Sequence, residues 1–179
     1  MNQQPLNLPL VRSLVTDFIY RQITRAGFQR AVIGLSGGLD SGLACFLAAE
    51  ALGAQNVLAV RMPYRTSSPE SLEHAQMVID QLGVPSLTLP ITEMVDPYLE
   101  RFPGISDLRR GNILARQRMV VLFDQSAAFN GLVVGTGNKT EILLGYTTLF
   151  GDSACALNPI GDLYKTQVRQ LARALAVPE

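Results

Sequence analysis

The sequence is poor in the residues that build disulfide frameworks and metal clusters. Its 179 residues include two cysteines, Cys45 and Cys155, one histidine, His74, and no tryptophan. Two cysteines supply neither a disulfide framework nor a zinc cluster. Metal chemistry in this protein must therefore depend on carboxylates.

The sequence also lacks long apolar runs and an excess of charge of either sign. The longest apolar stretch, residues 43–49, has seven residues, far fewer than the roughly 18 that would cross a bilayer. Fifteen basic and fifteen acidic side chains cancel, so no overall field attracts nucleic acid or an anionic membrane. Residues 1–10 show no basic region followed by an apolar segment, so we expect no secretory signal and a cytoplasmic location.

The composition and the pattern of apolar residues predict one α/β domain over residues 1–179. Hydrophobic residues make up 47% of the chain, enough for a sizeable core. Helical patterns separate short apolar segments that show little polar alternation, which indicates a parallel sheet covered on both faces. Right-handed crossovers then give a doubly wound, Rossmann-like fold. The predicted strands are residues 31–35, 56–60, 86–91 and 131–135.

Helical spacing and capping signals predict five main helices. A capping box of Ser67 and Glu70 is expected to start the third of them. Residues 136–163 are expected to be irregular, and residues 92–111 to hold a short helix and a loop. The predicted main helices cover residues 10–27, 40–52, 69–82 and 112–129, and the last begins near Lys165.

The loop after the first predicted strand, residues 36–41, has the composition of an anion site. Two adjacent glycines before a helix let backbone N–H groups converge on an anion, and Ser36 and Ser41 add hydroxyl donors. Asp40 would repel a phosphate unless a divalent cation, Mg²⁺ above all, bridged the two. The alternative is an ordinary strand–helix turn with a capping residue. The loop has no lysine, which disfavours a kinase- or GTPase-type site.

The full string Ser-Gly-Gly-Leu-Asp-Ser resembles the loop of the N-type ATP pyrophosphatases. Those enzymes hold the β,γ-pyrophosphate of ATP in this loop and attack the α-phosphate to form an adenylate. The resemblance implies a set of ATP-binding residues, namely Gly34, Leu35, Ser36, Gly37, Gly38, Leu39, Asp40 and Ser41.

Further blocks resemble the ammonia-dependent type of NAD synthetase, in family order over residues 30–179. They are residues 62–64, 111–119, 135–141, 145–152 and 158–165. The resemblance implies that ATP adenylates the nicotinate carboxylate of deamido-NAD and that ammonia displaces AMP to give NAD. It also implies a homodimer. We see no glutaminase domain, so ammonia is expected to be taken free or from a separate glutaminase.

The same resemblance assigns roles to residues outside the loop. Asp40 and Lys165 are implied in catalysis, and Asp40 and Glu141 in holding Mg²⁺. Thr136 and Lys165 are implied in binding ATP. Arg61, which stands at the end of the second predicted strand, is expected to reach the nucleotide as well.

Arg116 is implied in binding deamido-NAD, and it also stands out without the resemblance. It shares a helical face with apolar Met119, Val120 and Phe123, where an arginine needs an anionic partner. A structural ion pair is the alternative for Arg116. Arg118 is expected to be an ordinary exposed arginine.

The match has two departures. Some family members carry a lysine at the position of Leu149 and an aspartate at that of Ala156, both touching deamido-NAD, so neither role transfers. The family also continues past the equivalent of Glu179. Two other functions therefore stay open: a nucleotide-binding module without catalysis, and another amidating ATP pyrophosphatase such as GMP synthetase.

Overall fold

The computed structural model describes residues 6–178. Its centre is a sheet of four parallel strands in the order β3-β2-β1-β4. The strands are β1 (Ala31–Gly34), β2 (Val57–Arg61), β3 (Ser86–Thr88) and β4 (Leu132–Val134). Three of them lie within the segments that the sequence predicts, and β2 begins and ends one residue later than its predicted segment, 56–60.

Seven α-helices connect and cover these strands in the described part of the chain. They are α1 (Leu8–Arg25), α2 (Leu39–Leu52), α3 (Pro69–Leu82), α4 (Thr92–Leu99), α5 (Asp107–Phe129), α6 (Lys139–Leu144) and α7 (Lys165–Ala174). A single 3₁₀ turn, Ala54–Asn56, precedes β2.

The alternation of side chains along the strands produces two cores, one on each face of the sheet. Ile33 of β1 packs with buried residues of α1, α2, α3 and α7. Its neighbour Val32 points to the other face, where it packs with Val60, Val95 of α4 and Val121 of α5. Because successive strand residues point to opposite faces, both faces are apolar and both are covered by helices. The predicted doubly wound α/β fold is confirmed.

The strand order places a topological switch point between β1 and β4. The chain moves outward from β1 through β2 to β3, then crosses back and adds β4 on the other side of β1. At such a point the loops after the two adjacent strands leave in opposite directions and open a crevice at the carboxyl ends of the strands, where ligands bind. Here those loops begin at Leu35 and Gly135.

Three local expectations were wrong. Residues 139–144 form α6, which begins at a capping box of Asn138 and Glu141. Helix α5 begins at Asp107, because Ser106 caps it and Gly111 is accommodated within it. Helix α3 is capped by Ser68, whose side chain accepts from the backbone of Ser71, while the hydroxyl of Ser67 accepts from the backbone N–H of Tyr64.

None of the helices in residues 6–178 is long and apolar enough to cross a membrane. Residues 1–10, for which no secretory signal is expected, lie partly outside the described range. The cytoplasmic location stays a prediction.

Candidate functional site at the switch point

The loop between β1 and α2 is braced by its two serines. The Ser41 hydroxyl donates to the Gly38 carbonyl at 2.8 Å and accepts from the Ser36 backbone N–H at 3.2 Å. The Ser36 hydroxyl lies 3.0 Å from that of Ser41 and accepts from the Gly38 N–H at 3.2 Å. The serines therefore fix the shape of the loop, with Asp40 in the first turn of α2.

Gly37 is where this loop meets α3. Its φ is +80°, a left-handed conformation that side chains rarely adopt, and an added Cβ would lie 1.9 Å from the Ser71 carbonyl oxygen. Only glycine combines this conformation with so close an approach to another backbone. The position of the loop is thus set by direct packing on the first turn of α3.

Two adjoining cavities open at the carboxyl ends of β1 and β4. The larger, about 450 Å³, is lined by strand ends, by Ser67, Ser68 and Ser71, and by the α5 side chains Arg118 and Met119. The smaller, about 170 Å³, is lined by Ser36, Gly38, Asp40, Ser41, Thr136, Gly137, Glu141 and Asp152. Ser36, Thr136 and Asp152 belong to both linings. The larger space is mostly apolar and the smaller one is polar and acidic.

A network of charged and amide groups borders the smaller cavity. Lys165, the first residue of α7, forms an ion pair with Oδ2 of Asp40. Asn138 Nδ2 donates to Oδ1 of the same carboxylate at 3.1 Å. The Asn138 backbone N–H donates to Oε2 of Glu141 at 3.0 Å. The loop after β1, the start of α6 and the start of α7 therefore meet at two carboxylates.

The donor set suits Mg²⁺ held jointly with a phosphate-bearing ligand. In residues 6–178 no cluster of three or more His, Cys, Asp or Glu side chains is able to hold a metal ion by itself. Mg²⁺ usually takes only one or two protein carboxylates and completes its shell with waters and substrate phosphates. Asp40 and Glu141, which line one cavity, meet that requirement.

Two arginines border the larger cavity. Arg61, at the end of β2, donates from Nη1 to Oε1 of Gln76 at 2.7 Å, while its Nε is buried and has no hydrogen-bond partner among the described residues. Arg118 donates from Nε to the Met62 carbonyl at 3.1 Å, and burial lowers the pKa of its guanidinium. The expectation that Arg118 is an ordinary exposed arginine is wrong, because its face of α5 turns toward the carboxyl ends of the strands.

The segment before Ser67, at the border of the larger cavity, is bonded to α4 through Tyr64 and Arg65. Tyr64 donates its phenolic hydrogen to Oδ1 of Asp96 at 2.7 Å, and this bond is the main reason that the pKa of Tyr64 is raised. Arg65 pairs with the other oxygen of Asp96 at 3.0 Å. The loop before α3, which carries Ser67 and Ser68, is therefore anchored outside the cavity.

Arg116 lies away from both cavities. It is exposed, and its Nε donates to the Leu149 carbonyl at 3.2 Å. Val120 and Phe123 of the same face are exposed too, at 53% and 43%, whereas Met119 lines the larger cavity. This part of the face therefore looks outward in the isolated chain, and the carbonyl contact replaces the ion pair considered as an alternative for Arg116.

The structure brings most of the predicted site residues together. Gly34, Leu35, Ser36, Arg61 and Thr136 line the larger cavity, and Gly38, Asp40, Ser41 and Glu141 the smaller one. Lys165 joins through Asp40. Gly37 and Leu39 serve packing, Gly37 on α3 and Leu39 on the core. His74 is half-buried on α3, and Cys45 is fully buried, which raises the pKa of its thiol to about 12.

Sequence reasoning missed four kinds of lining or bordering residue: Asn138, Asp152, Arg118 and the serines at the start of α3. Asn138 and Asp152 lie in the family-like segments 135–141 and 145–152, but the sequence pattern assigns neither residue a role. The signal for Asn138 was its position three residues before Glu141, a capping-box spacing.

A parallel α/β sheet with a glycine-rich loop and paired carboxylates at its switch point defines a nucleotide-binding α/β protein. A family model described as NAD synthase matches residues 11–179. The chain belongs to the NAD synthase family.

Curated and solved relatives agree with this membership. The chain is 56% identical to an NH(3)-dependent NAD(+) synthetase of Trichlorobacter lovleyi, over 100% of this chain and 66% of that protein. It resembles the structure of an NH3-dependent NAD synthetase from Campylobacter jejuni in complex with the nitrate ion, with a TM-score of 0.91 and 38% identity over 96% of this chain and 75% of the other. A glutamine-dependent NAD+ synthetase from Acinetobacter baumannii in complex with adenosine diphosphate has a TM-score of 0.90 and 33% identity, over 97% of this chain and 34% of that one. The chain spans just under two thirds of the length of these curated relatives, 66% and 65% of two of them.

Gly37→Ala is expected to lower the free energy of unfolding by about 2 kcal/mol or more, because the left-handed φ and the contact with Ser71 both penalise a Cβ. Gly38→Ala is the matched control, since its φ is −84° and its added Cβ would lie 3.3 Å from the Ser36 hydroxyl. Urea unfolding of both variants measures the difference. Equal losses for the two variants would contradict the packing argument.

Proposed function

We propose that this protein is an ATP-dependent ligase that adenylates the nicotinate carboxylate of deamido-NAD and amidates it with ammonia, giving NAD, AMP and pyrophosphate. The observation that carries the proposal is the pair of adjoining cavities at the switch point. One is large and mostly apolar, as a nucleoside requires, and the other is small, polar and acidic. A nucleotide laid across both would have its phosphates beside the Ser36–Ser41 loop.

In the first half of the reaction, a carboxylate oxygen of the substrate attacks the α-phosphorus and pyrophosphate leaves. The loop residues 36–41 would bind the departing phosphates through backbone N–H groups and the N-terminus of α2. Asp40 and Glu141 would hold Mg²⁺, which neutralises charge on the leaving group when it is bound. Lys165 would contribute a second positive charge from the start of α7.

In the second half, the ammonia nitrogen attacks the carbonyl carbon of the adenylate, the bond to the AMP oxygen breaks and AMP leaves, and the nitrogen gives up one proton to solvent. Adenylation has already created a good leaving group, so positioning of the two reactants contributes more than acid–base machinery. Ammonia would come from solution or from a separate glutaminase.

The adenosine end of ATP would occupy the larger cavity, with Arg61 and Thr136 at its border. The buried Nε of Arg61 has no partner among the described residues, so a bound ligand would satisfy it. The adenosine diphosphate complex of the Acinetobacter relative supports an adenine nucleotide in this fold.

The second substrate would approach from the side of α5 and the segment after α6. Arg116 contacts Leu149 there, and apolar side chains are exposed on both segments, including Val120, Phe123 and Leu149. Exposed apolar surface of this extent marks an interaction site. We therefore place deamido-NAD beside Arg116 and propose that the protein is a homodimer.

The function is tested by incubating purified full-length protein with ATP, Mg²⁺, ammonium and deamido-NAD and measuring pyrophosphate and NAD. Both products are expected, and Asp40→Asn should lower their rate by at least about 100-fold, because it removes a charge that binds the metal. Asp162→Asn is the control, since that carboxylate is fully exposed.

The outcomes distinguish the alternatives. Turnover with xanthosine monophosphate in place of deamido-NAD would indicate a GMP synthetase. ATP binding by calorimetry without any product would indicate a non-catalytic nucleotide-binding module. Either result would overturn the proposed activity.

Arg116→Ala is expected to raise the KM for deamido-NAD about tenfold, because it removes a charged donor to an anionic substrate, and to leave the KM for ATP unchanged. Arg109→Ala, on the same helix, is the control. Light scattering of the wild type and both variants should give twice the mass of one chain. An unchanged KM for deamido-NAD in Arg116→Ala would contradict the placement of this substrate beside Arg116. A mass of one chain in light scattering would contradict the proposed homodimer.

Lys165→Met is expected to bind divalent metal more tightly in the absence of nucleotide, by roughly fivefold, because a competing cation leaves Asp40. The same variant should make NAD more slowly. Lys139→Met is a matched control: the two lysine side chains are 35% and 34% exposed, but Lys139 faces Asp162 rather than Asp40. Titration with Mn²⁺, followed by electron paramagnetic resonance, measures the affinity. If Lys165→Met binds Mn²⁺ with equal or lower affinity than the wild type, Lys165 does not compete with the metal for Asp40.

A further inference from the structure

Asn138 is polar but almost completely buried, with 1% of its surface exposed. Its Oδ1 accepts from the backbone N–H of Glu141 at 3.1 Å. Its own backbone N–H donates to Glu141 Oε2, and its Nδ2 donates to Asp40 Oδ1 at 3.1 Å. One residue therefore contacts both carboxylates of the smaller cavity.

These contacts exceed what helix capping requires. A cap needs only the side-chain oxygen that accepts from the helix, and serine, threonine or aspartate would supply it equally well. An amide carries its acceptor and its donor on separate atoms, so Asn138 accepts from the helix with Oδ1 and reaches Asp40 with Nδ2, whereas a serine hydroxyl has both functions on one atom closer to the backbone. The contact between Nδ2 and Asp40 is therefore a second task, and it joins residues 98 positions apart in the chain.

Asn138 forms a hydrogen bond with one oxygen of the Asp40 carboxylate and with one oxygen of the Glu141 carboxylate. It does not contact the second oxygen of either group. Oδ1 of Asp40 and Oε2 of Glu141 are the held oxygens. On Asp40 the other oxygen, Oδ2, faces the flexible cation Lys165. Asn138 thus fixes the orientation of both groups while leaving one oxygen on each for exchange with a ligand.

We propose that Asn138 is a positioning residue whose side-chain amide orients Asp40 for the divalent cation, next to the Glu141 carboxylate that its backbone N–H holds. The inference rests on the proposed function, because the metal enters with the nucleotide. Groups that hydrogen-bond to metal ligands typically change metal affinity by roughly 10- to 100-fold when they are replaced. Without the amide, the Asp40 side chain loses the bond that fixes its orientation.

The test replaces the amide but keeps the cap. Asn138→Ser should fold with a melting temperature close to that of the wild type, because serine also caps α6. Its affinity for Mn²⁺, measured by electron paramagnetic resonance in the presence of α,β-methylene-ATP, should fall by roughly tenfold or more. Should this variant fail to fold, Asn138→Thr, which is also capping and neutral, takes its place.

Asn56→Ala provides the opposite pattern as a control. The Asn56 amide donates to the Leu52 carbonyl at 2.8 Å, at the other end of the sheet. Its loss is expected to lower the melting temperature and to leave Mn²⁺ affinity unchanged. A purely structural role for Asn138 would give this same pattern in Asn138→Ser.

Two results would overturn the inference: wild-type affinity for Mn²⁺ in Asn138→Ser, or no Mn²⁺ bound by the wild-type protein with the nucleotide analogue. NAD formation by the wild type is measured separately. If Asn138→Ser loses Mn²⁺ affinity while the wild type forms no NAD, the inference stands and the proposed activity fails.

Discussion

Asp40 is the residue at which three distant segments of the chain meet. Its carboxylate accepts from Asn138 at the start of α6 and pairs with Lys165 at the start of α7, 98 and 125 positions away in the chain. A carboxylate that is only 18% exposed on its side chain needs such partners, because desolvation of an unpaired charge is costly. The Asp40 carboxylate, which pairs with Lys165 in the isolated chain, is the same group that we propose as a ligand of the metal. Stability and the proposed function therefore both depend on the Asp40 carboxylate. Its two partners differ, because the amide of Asn138 is buried and fixed, whereas Lys165 has a long, flexible side chain.

The packing around the phosphate loop explains why the site can be rigid on this side. Gly37 lies against the backbone of Ser71, and a Cβ on Gly135 would lie 2.6 Å from the sulfur of Cys155. Gly37 lies three residues after the end of β1, and Gly135 directly follows β4, at the edge where the crevice opens. Close contact with the Ser71 backbone and with the Cys155 side chain leaves no room for a Cβ, so the loops after β1 and β4 are held by their neighbours. Backbone donors fixed in this way bind an anion without reorganising.

Much of the fold was predictable because it depends on local signals. Buried strands such as residues 31–35, and the helix signals of α3 from Pro69 to Gly83, are written in short stretches of sequence. Helix α6 was missed because its six residues are too few to show a period of 3.6. The anion loop was recognisable from its string of residues. The partnership of Asn138 with Asp40 was not, because a hydrogen bond across 98 positions leaves no local pattern. The burial of Arg118 depends likewise on how α5 is rotated against the sheet, which its own sequence does not specify.

The two sides of the site differ in a way that suits a reaction in two halves. The nucleotide side is built from strand ends and close glycine contacts, and its larger cavity is bordered by the half-buried Arg118. The opposite side, along α5 and residues 142–150, presents apolar side chains to solvent, with Leu144 at 76% and Tyr146 at 78% exposed. Water covering so much apolar surface is unfavourable, so a second chain or a second substrate would gain free energy by displacing it. The proposed reaction activates one substrate first and admits ammonia afterwards. It therefore needs phosphate-binding groups in fixed positions and a second side of the site that is covered separately. The packing of the chain holds the phosphate-binding loop in place, and the exposed α5 and α6 surface is where we propose that the second substrate and a second chain bind.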